Sequence, residues 1–449
     1  MNVSDTDRMK ASLAPLGYSD VSSPQDAELI LINTCSIREK AEEKMSSTAH
    51  ELKRLKEANP NLILGITGCV AQQEKDQIQK NLPFVDLVLG PDNIDDLPLA
   101  IESLISGEVD QFQRTEFDVE LRTWNTKTRL INPGTAAFVS IMKGCDHFCS
   151  YCIVPHVRGR EKSRPIKDVV EDVKDLVARG VREVTFLGQN INTFGKRADE
   201  SLHELFHRVH DIEGLSRIRF TTSHPGDLKD ELIRCYQELP KLCSYFHLPV
   251  QSGSTRILRA MRRFYTREQY LERVGALRQA RADIAFSSDF IVGFPGEEEE
   301  DFAQSLSLVE AVGFDNVYSF LYSARPGTAA VDRPDTTPLE VKSARLARLQ
   351  ELCRKTSKTI HQSFEGKVVD VLIEGPSKRD SSRMSGRNSQ NILVHLSAED
   401  SIHVAAGYMA KVLISEGTQT YLTGKLLNPI GHSSLLQASV SASEIQSIV

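Results

Sequence analysis

From residue 138 to residue 322 the chain repeats one pattern: a short apolar stretch, a turn built from glycine, proline, serine or asparagine, then a longer amphipathic run. The apolar stretches are 138–142, 183–187, 218–222, 245–249, 286–292 and 316–322. Strands that alternate with helices read as βαβ units. Six of them suit an incomplete (β/α) barrel, and such barrels bind their ligands at the carboxyl ends of the strands. The first crossover helix is the clearest. Pro165 opens it, Ile166, Val169, Val170, Val173, Leu176 and Val177 give it one apolar face, and Gly180 closes it.

Directly after the first strand, Lys143-Gly144 makes a turn into Cys145-Asp-His-Phe-Cys149-Ser-Tyr-Cys152. Three thiolates on so short a loop can each take one iron of a cubane cluster, which leaves the fourth iron open to a small molecule. Zinc is the alternative, with two of these cysteines and His147 or His156 as ligands. Zinc loops usually come as two separate Cys-x-x-Cys knuckles, however, and the sequence has no second one. Polar turns follow the other strands: Gly188-Gln189-Asn190, Ser223-His224-Pro225, Gln251-Ser252-Gly253-Ser254, Gly293 to Glu297 and Ala324 to Thr328. Each alone is an ordinary turn. Their recurrence beside the cysteine loop makes Gln189, Asn190, Ser223, Gln251 and Gly293 the candidate cofactor contacts. The acidic run from Glu297 to Asp301 reads as charge favouring a helix N-terminus.

The first hundred residues also alternate, with strands at 28–33, 62–67 and 84–89 and helices at 37–58, from 70, and at 94–105, as in a small open parallel α/β sheet. Residues 3–16 read as a helix. Cys35 and Cys69 each fall just after a strand, where such sheets form their ligand crevice, and are a candidate pair of metal ligands. Two inert buried thiols are the alternative. Four strand-like stretches at 366–374, 391–395, 408–414 and 420–424 suggest a small OB-like β-barrel. Its polar loop, 378–387, carries Lys378, Arg379, Arg383 and Arg387 and suits RNA backbone contacts, with an ordinary mobile loop as the alternative. The expected organisation is an α/β domain over 1–106, a polar connector over 107–130, the barrel over 131–363, the β-barrel over 364–428 and a serine-rich tail over 429–449.

Composition narrows the class. Hydrophobic content of 40% and charged content of 26% are those of an ordinary soluble protein. No apolar run is long enough to span a bilayer and no signal-peptide pattern is present, so the expected location is the cytoplasm. Eight cysteines without a regular framework point to metal or redox work rather than disulfides. The net charge of −7 makes no global case for nucleic acid. Local basic clusters at 156–167 and 256–281 look like footprints for phosphate.

The Cys-x3-Cys-x2-Cys spacing, with Tyr151 before the last cysteine, resembles the radical S-adenosylmethionine enzymes. With residues 158–165, 187–190, 247–254, 289–296 and 322–327 added, the whole chain resembles the methylthiotransferases of that superfamily. The resemblance implies an N-terminal methylthiotransferase domain, a radical core and a C-terminal TRAM domain. It implies two 4Fe-4S clusters, one on Cys145, Cys149 and Cys152 and one on Cys35, Cys69 and a third cysteine. Two molecules of S-adenosylmethionine would be used per turnover. One donates a methyl group to sulfur at the N-terminal cluster, and the other supplies the radical. The implied substrate is isopentenyl-adenosine next to the tRNA anticodon, which becomes its 2-methylthio form after leaving its stack. A flavodoxin or ferredoxin would supply electrons. Threonylcarbamoyl-adenosine of tRNA or a ribosomal protein is the alternative substrate, and an RNA-binding module with a structural iron–sulfur centre the non-enzymatic alternative. In the family the third N-terminal ligand lies in a Cys-Gln-Met-Asn stretch, and this chain opens at Met1-Asn2. The N-terminal cluster is therefore expected to be weak or absent in the chain as given, with S-adenosylmethionine cleaved but little methylthiolation.

Overall fold

The computed structural model describes residues 1–36, 41–117, 130–131 and 133–429. The N-terminal unit runs α1 (Asn2–Leu13), β1 (Leu29–Thr34), α2 (Ala41–Ala58), β2 (Ile63–Gly68), α3 (Cys69–Glu74), α4 (Asp76–Asn81), β3 (Leu87–Leu89), α5 (Leu97–Ile105) and β4 (Phe112–Arg114). The four strands pair in parallel in the order β1-β2-β3-β4. Helices cover both faces: Met9 and Leu13 of α1 pack with Leu97, Ala100 and Ile101 of α5. Met45 and Ala49 of α2 pack with Leu64, Ile66 and Val70 on the other side. Two features differ from expectation. The helix from residue 70 breaks at Lys75, whose φ is 49°, giving two short helices instead of one. The expected connector opens with a fourth strand, whose Phe-Gln-Arg is too short and too polar to announce itself by alternation. Residues 118–129 of that connector lie outside the described residues.

In the core, β5 (Ala136–Ser140) leads into a two-residue ribbon between β6 (Met142–Lys143) and β7 (Lys162–Ser163) that closes the cysteine loop, with α6 (Val154–Arg158) inside it. Then come α7 (Ile166–Ala178), β8 (Glu183–Leu187), α8 (Leu202–His210), β9 (Arg217–Phe220), α9 (Asp230–Glu238), β10 (Tyr245–His247), α10 (Thr255–Ala260), α11 (Arg267–Ala280), β11 (Ala285–Val292), α12 (Glu299–Val312), β12 (Asn316–Leu321) and α13 (Leu339–Gln362). Strands β5, β8 and β9 form one parallel sheet and β10, β11 and β12 another. An isolated parallel bridge between Ile218 and Leu242 links them, so the six strands make the expected open barrel. Between strands and helices lie Phe186, Phe206, Tyr236, Phe246, Tyr270, Phe286, Phe302 and Phe314, each at most 1% exposed. Full burial of such a side chain is worth roughly 1.5–3 kcal/mol.

The C-terminal unit is a closed five-stranded barrel of β13 (Val368–Pro376), β14 (Met384–Asn388), β15 (Leu393–Leu396), β16 (Met409–Gly417) and β17 (Leu422–Leu426). It docks on the core through two buried arginines of β9. Arg217 donates to the carbonyls of Asp370 and Arg387 (2.7 and 2.5 Å), and Arg219 to those of Asn388 and Ser389 (2.7 and 3.0 Å). Arg219 also donates to the Glu183 carboxylate at 2.9 Å, which balances the charge.

Three basic features need correction. The second half of the expected loop 378–387 is strand β14, and Arg387 is held there by the Asn391 carbonyl (2.8 Å) and Glu374 (3.5 Å). The arginines of 256–281 mostly staple the core. Arg256 pairs with Asp301 and Arg273 with Asp230. Arg278 and Arg281 donate to carbonyls of Val312, Tyr236 and Leu242. In the cluster at 156–167, Arg158, Lys162 and Arg164 pair with Asp5, Asp92 and Asp172. Two of those carboxylates lie on the N-terminal unit, so this charge joins domains rather than meeting phosphate. The tail beyond residue 429 lies outside the described residues.

Candidate functional site

The loop from Gly144 to Arg160 is folded back on itself. The Cys145 N–H donates to the Gly159 carbonyl (3.2 Å), and Gly144 (φ 78°) sits so close to Arg160 that an added Cβ would lie 2.1 Å from its carbonyl oxygen. Gly144→Ala is therefore expected to destabilise the closed loop by more than about 1 kcal/mol. A lower iron content per chain after reconstitution, with the far-ultraviolet spectrum unchanged, would report it. On its other side the loop is fixed by the Ser150 N–H donating to the Met261 carbonyl at 3.0 Å.

Cys149 is buried, and Cys145 and Cys152 are partly so. Burial pushes the Cys145 thiol up to about 11 and the Cys152 thiol up to about 12, with the neighbouring thiols adding to both shifts. Cys145 and Cys152 thus resist ionising unless cations join them. One is built in: Arg263 is buried, donating to Cys149 Sγ (3.7 Å), the Pro249 carbonyl (2.7 Å) and Tyr265 Oη (3.0 Å). The spacing also bears on the metal. Among the described residues, His147, His224 and Asp227 alone form a set of three metal-ligating side chains with all ligand atoms within 4.8 Å of one another. The three thiols are not such a set, whereas one tetrahedral zinc would draw its sulfurs to about 3.8 Å, so the loop as folded does not suit a single zinc.

Above the loop the strand ends present buried polar atoms without a protein partner: Gln189 Oε1, Asn190 Oδ1, Asn192 Oδ1, Ser223 Oγ, His224 Nε2 and Tyr322 Oη. Unpaired buried polar atoms are costly, and a concentration of them marks where a polar ligand belongs. Three of the five expected cofactor contacts, Gln189, Asn190 and Ser223, are in this set. Gln251 is buried with φ 75°, and its main chain is bonded to Asp289 and Ile291. Gly293 has a positive φ of 72°, donates its N–H to Glu297 and packs on Lys342. Its part is to shape the turn.

The sequence reading passed over an arrangement beneath these groups. His147 donates to Asp227, which also accepts from Asn190 Nδ2 at 2.7 Å, and the His147 and His224 rings stack at 3.8 Å. The pairing ties the cysteine loop to the ends of β8 and β9. Burial, Arg263 and His147 together hold His224 neutral. The earlier signals were the position of His147 between two cysteines and the polar turns that carry Asn190 and His224.

The acidic run divides. Glu298 and Asp301 form a capping box for α12, as charge at a helix start should. Glu297 instead is 4% exposed and bonded to Gly293 and Arg345, and burial pushes its carboxyl up to about 7. Between its unfolded value near 4.5 and 7, the native chain keeps a proton the unfolded chain has lost, so stability falls as pH rises through that window and is level above it. Glu297→Gln keeps an acceptor for Gly293 and removes this titration. Its unfolding free energy from urea titration should gain on the parent's between pH 5 and 8, by up to about 3 kcal/mol.

The second pair of thiols stands on adjacent strands. Thr34 and Gly68 are register partners of β1 and β2, so Cys35 and Cys69 each come one residue past the same rung. Thr34 Oγ1 bridges them, donating to the Thr67 carbonyl (2.6 Å) and accepting from the Val70 N–H (3.1 Å). Gly68 has φ 91°, and a Cβ there would meet the Thr34 carbonyl at 2.4 Å, so the strands can close only with glycine. The partly buried amine of Met1 is within electrostatic reach of both thiols. Cys69 packs against Ile153, which directly follows Cys152, and against Val157 of α6. The two cysteine sets are thus neighbours across the domain interface.

Comparison with known proteins fits this layout. Family profiles match for the Radical SAM superfamily over residues 139–309, Uncharacterized protein family UPF0004 over 1–90 and the TRAM domain over 362–427. The tRNA-2-methylthio-N(6)-dimethylallyladenosine synthase of Alkalilimnicola ehrlichii is 44% identical over 435 residues, covering 95% of each chain. That of Carboxydothermus hydrogenoformans is 41% identical over 438 residues, covering 95% of this chain and 97% of its own. Among solved structures, the radical S-adenosylmethionine methyltransferase TsrM from Kitasatospora setae superposes with a TM-score of 0.55 at 14% identity, over 73% of this chain and 72% of its own, and so shares the fold. With four strands of a parallel sheet, an open barrel and a closed TRAM barrel in the same order, the chain belongs to the tRNA-2-methylthio-N(6)-dimethylallyladenosine synthases, a radical S-adenosylmethionine family.

Proposed function

We propose that this protein converts N(6)-dimethylallyladenosine in tRNA, beside the anticodon, into its 2-methylthio derivative. The observation that carries the reading is the packing of Cys69 against Ile153 and Val157, one and five residues after Cys152. It brings a second thiol set to the mouth of the barrel, where an activated carbon and a sulfur donor can meet. In this reading Cys145, Cys149 and Cys152 hold one 4Fe-4S cluster and Cys35 and Cys69 contribute to another. When bound, the first cluster and S-adenosylmethionine supply a radical able to take hydrogen from an unactivated carbon.

The chain's own residues do the positioning. Arg263 balances the thiolate charge at Cys149. Asn190 and Asp227 hold His147 and with it the cysteine loop. Gln189, Asn190 and Ser223 offer the cofactor their unpaired oxygens, and the turn at Gly293 and the strained backbone at Gln251 shape the cavity wall. The TRAM barrel, fixed to the core by Arg217 and Arg219, presents exposed Lys378 and Arg379 and half-buried Arg383 to the tRNA backbone. Arg383 is partly engaged by the Leu396 carbonyl. A reducing protein such as a flavodoxin or ferredoxin would supply electrons. No helix among the described residues is long and apolar enough to cross a membrane.

Mass spectrometry of nucleosides from tRNA of cells with and without the gene tests the proposal. The 2-methylthio derivative should disappear on deletion and N(6)-dimethylallyladenosine accumulate. Loss of a methylthio group from threonylcarbamoyl-adenosine instead would overturn the substrate assignment.

A further inference from the structure

Two exposed aromatic rings stand beside Cys149. Phe148, its neighbour in the chain, is 37% exposed with φ 44°. Phe264 follows Arg263, whose guanidinium donates to Cys149 Sγ, and at 79% it is the most exposed large apolar side chain among the described residues. Its turn is bonded to the cysteine loop, the Ser150 N–H donating to the Met261 carbonyl (3.0 Å) and Ser150 Oγ to the Ala260 carbonyl (2.9 Å). Positive charge surrounds the rings. The Arg160 guanidinium lies over the Phe148 ring at 5.1 Å, and Arg160 and Arg197 share the Asp146 carboxylate (2.9 and 2.6 Å) while each stays 60% exposed. Lys196 and Arg262 are exposed as well, and against these cations the same segments set only Asp146 and Asp199.

We propose that this face of the cysteine loop is the docking surface for a small acidic electron-carrier protein, which sets an apolar patch on Phe148 and Phe264 and its carboxylates on the surrounding cations. This rests on the reading that the loop holds an iron–sulfur group reduced by such a carrier. One electron leaves the reduced carrier, which is oxidised, and enters the group held by Cys145, Cys149 and Cys152, which is reduced; no bond or proton moves. Electron transfer weakens steeply with distance, so the carrier must seat where the sulfurs come close to solvent, and exposed Phe148 beside Cys149 marks such a place. Its chemistry follows from charge. The chain carries a net charge of −7, so an acidic protein is steered only to a local positive field. Redox encounters need little buried area, and aromatic rings and arginine are the side chains enriched in interfaces. The loop's other sides are taken. Ile153 and Val157 meet Cys69, and His147 meets Asp227 at the strand ends, where the substrate base must come. The Phe148 face is left for a partner that needs the sulfurs and not the base.

The test uses the full-length protein reconstituted with iron and sulfide, with two acidic carriers as probes, a flavodoxin and a ferredoxin. Binding of each oxidised carrier is measured by calorimetry at low and high salt, and 5′-deoxyadenosine formation is driven by the reduced carrier or by dithionite. At low salt the parent should bind at least one carrier. Arg197→Glu combined with Arg262→Glu should weaken that binding by about tenfold or more and flatten its salt dependence. Phe264→Asn, a residue that accepts positive φ, should weaken it at both salt concentrations alike. Both variants should keep the parental rate with dithionite and lose rate with the carrier. A parent that binds neither carrier, or variants that bind as the parent does, overturn the proposal. So does a loss of tRNA affinity in the charge variant with carrier binding unchanged, which would make the patch an RNA surface. Should the charge variant misfold and lose its dithionite-driven rate, Phe264→Asn decides alone. A parent inactive with dithionite counts against the radical reading of the loop, and the calorimetry still decides the surface.

Discussion

Cys149→Ala is expected to abolish reductive cleavage of S-adenosylmethionine, with 5′-deoxyadenosine formation reduced by more than about a hundredfold, beyond the loss usual for removing an outer-shell partner. The three thiols share one eight-residue loop, and the other cysteines of the core, Cys235, Cys243 and Cys353, are buried elsewhere in it. No substitute is within reach. The change also strips Arg263 of its sulfur partner while leaving the guanidinium among Pro249, Tyr265 and the loop. An uncompensated buried charge is costly, so Cys149→Ala should lower stability as well as activity. Cys353→Ala is the control, because its thiol lies on α13, outside the loop. Single-turnover assays under reducing conditions separate the cases. Near-parental 5′-deoxyadenosine from Cys149→Ala would refute the assignment of the loop.

What the sequence disclosed and what it hid divide along a physical line. The strands of the barrel were legible because each is a short apolar run next to turn residues, and both cysteine sets were legible because their spacing to the strand ends is local. The meaning of the positive charge was not. Arg158, Lys162 and Arg164 form a basic run in the sequence, but their anions, Asp5, Asp92 and Asp172, stand on three different elements, two of them in another domain. Arg256, Arg263, Arg278 and Arg281 likewise look like a footprint until the carboxylate, thiol and carbonyls that accept their hydrogen bonds are known. Arg387 was lost to the same effect, since Met384–Asn388 alternates too weakly to be read as a strand and Gly386 lies inside it. The stacked pair His147 and His224 joins residues 77 positions apart, and the strand order β5-β8-β9 brings them together.

Cys69→Ala is expected to separate two activities that the fold keeps side by side. The substitution leaves Cys145, Cys149, Cys152 and Arg263 in place, so 5′-deoxyadenosine should still form near the parental rate. The methylthio product should fall to the level of a reaction without enzyme, because Cys69 and Cys35 are the thiols at the shared end of β1 and β2. Packing does not confound the comparison. Cys69 is 2% exposed and touches Ile153 and Val157, so the small cavity left by its sulfur should cost on the order of 1 kcal/mol, a modest shift in thermal midpoint. Lost radical formation in this variant would mean that the two sites are folded or loaded as one. Retained methylthiolation would place the sulfur donor away from Cys69. Radical formation without product is the result that fits a barrel making the radical and a neighbouring sheet holding the sulfur, with Ile153 and Val157 as the wall between them.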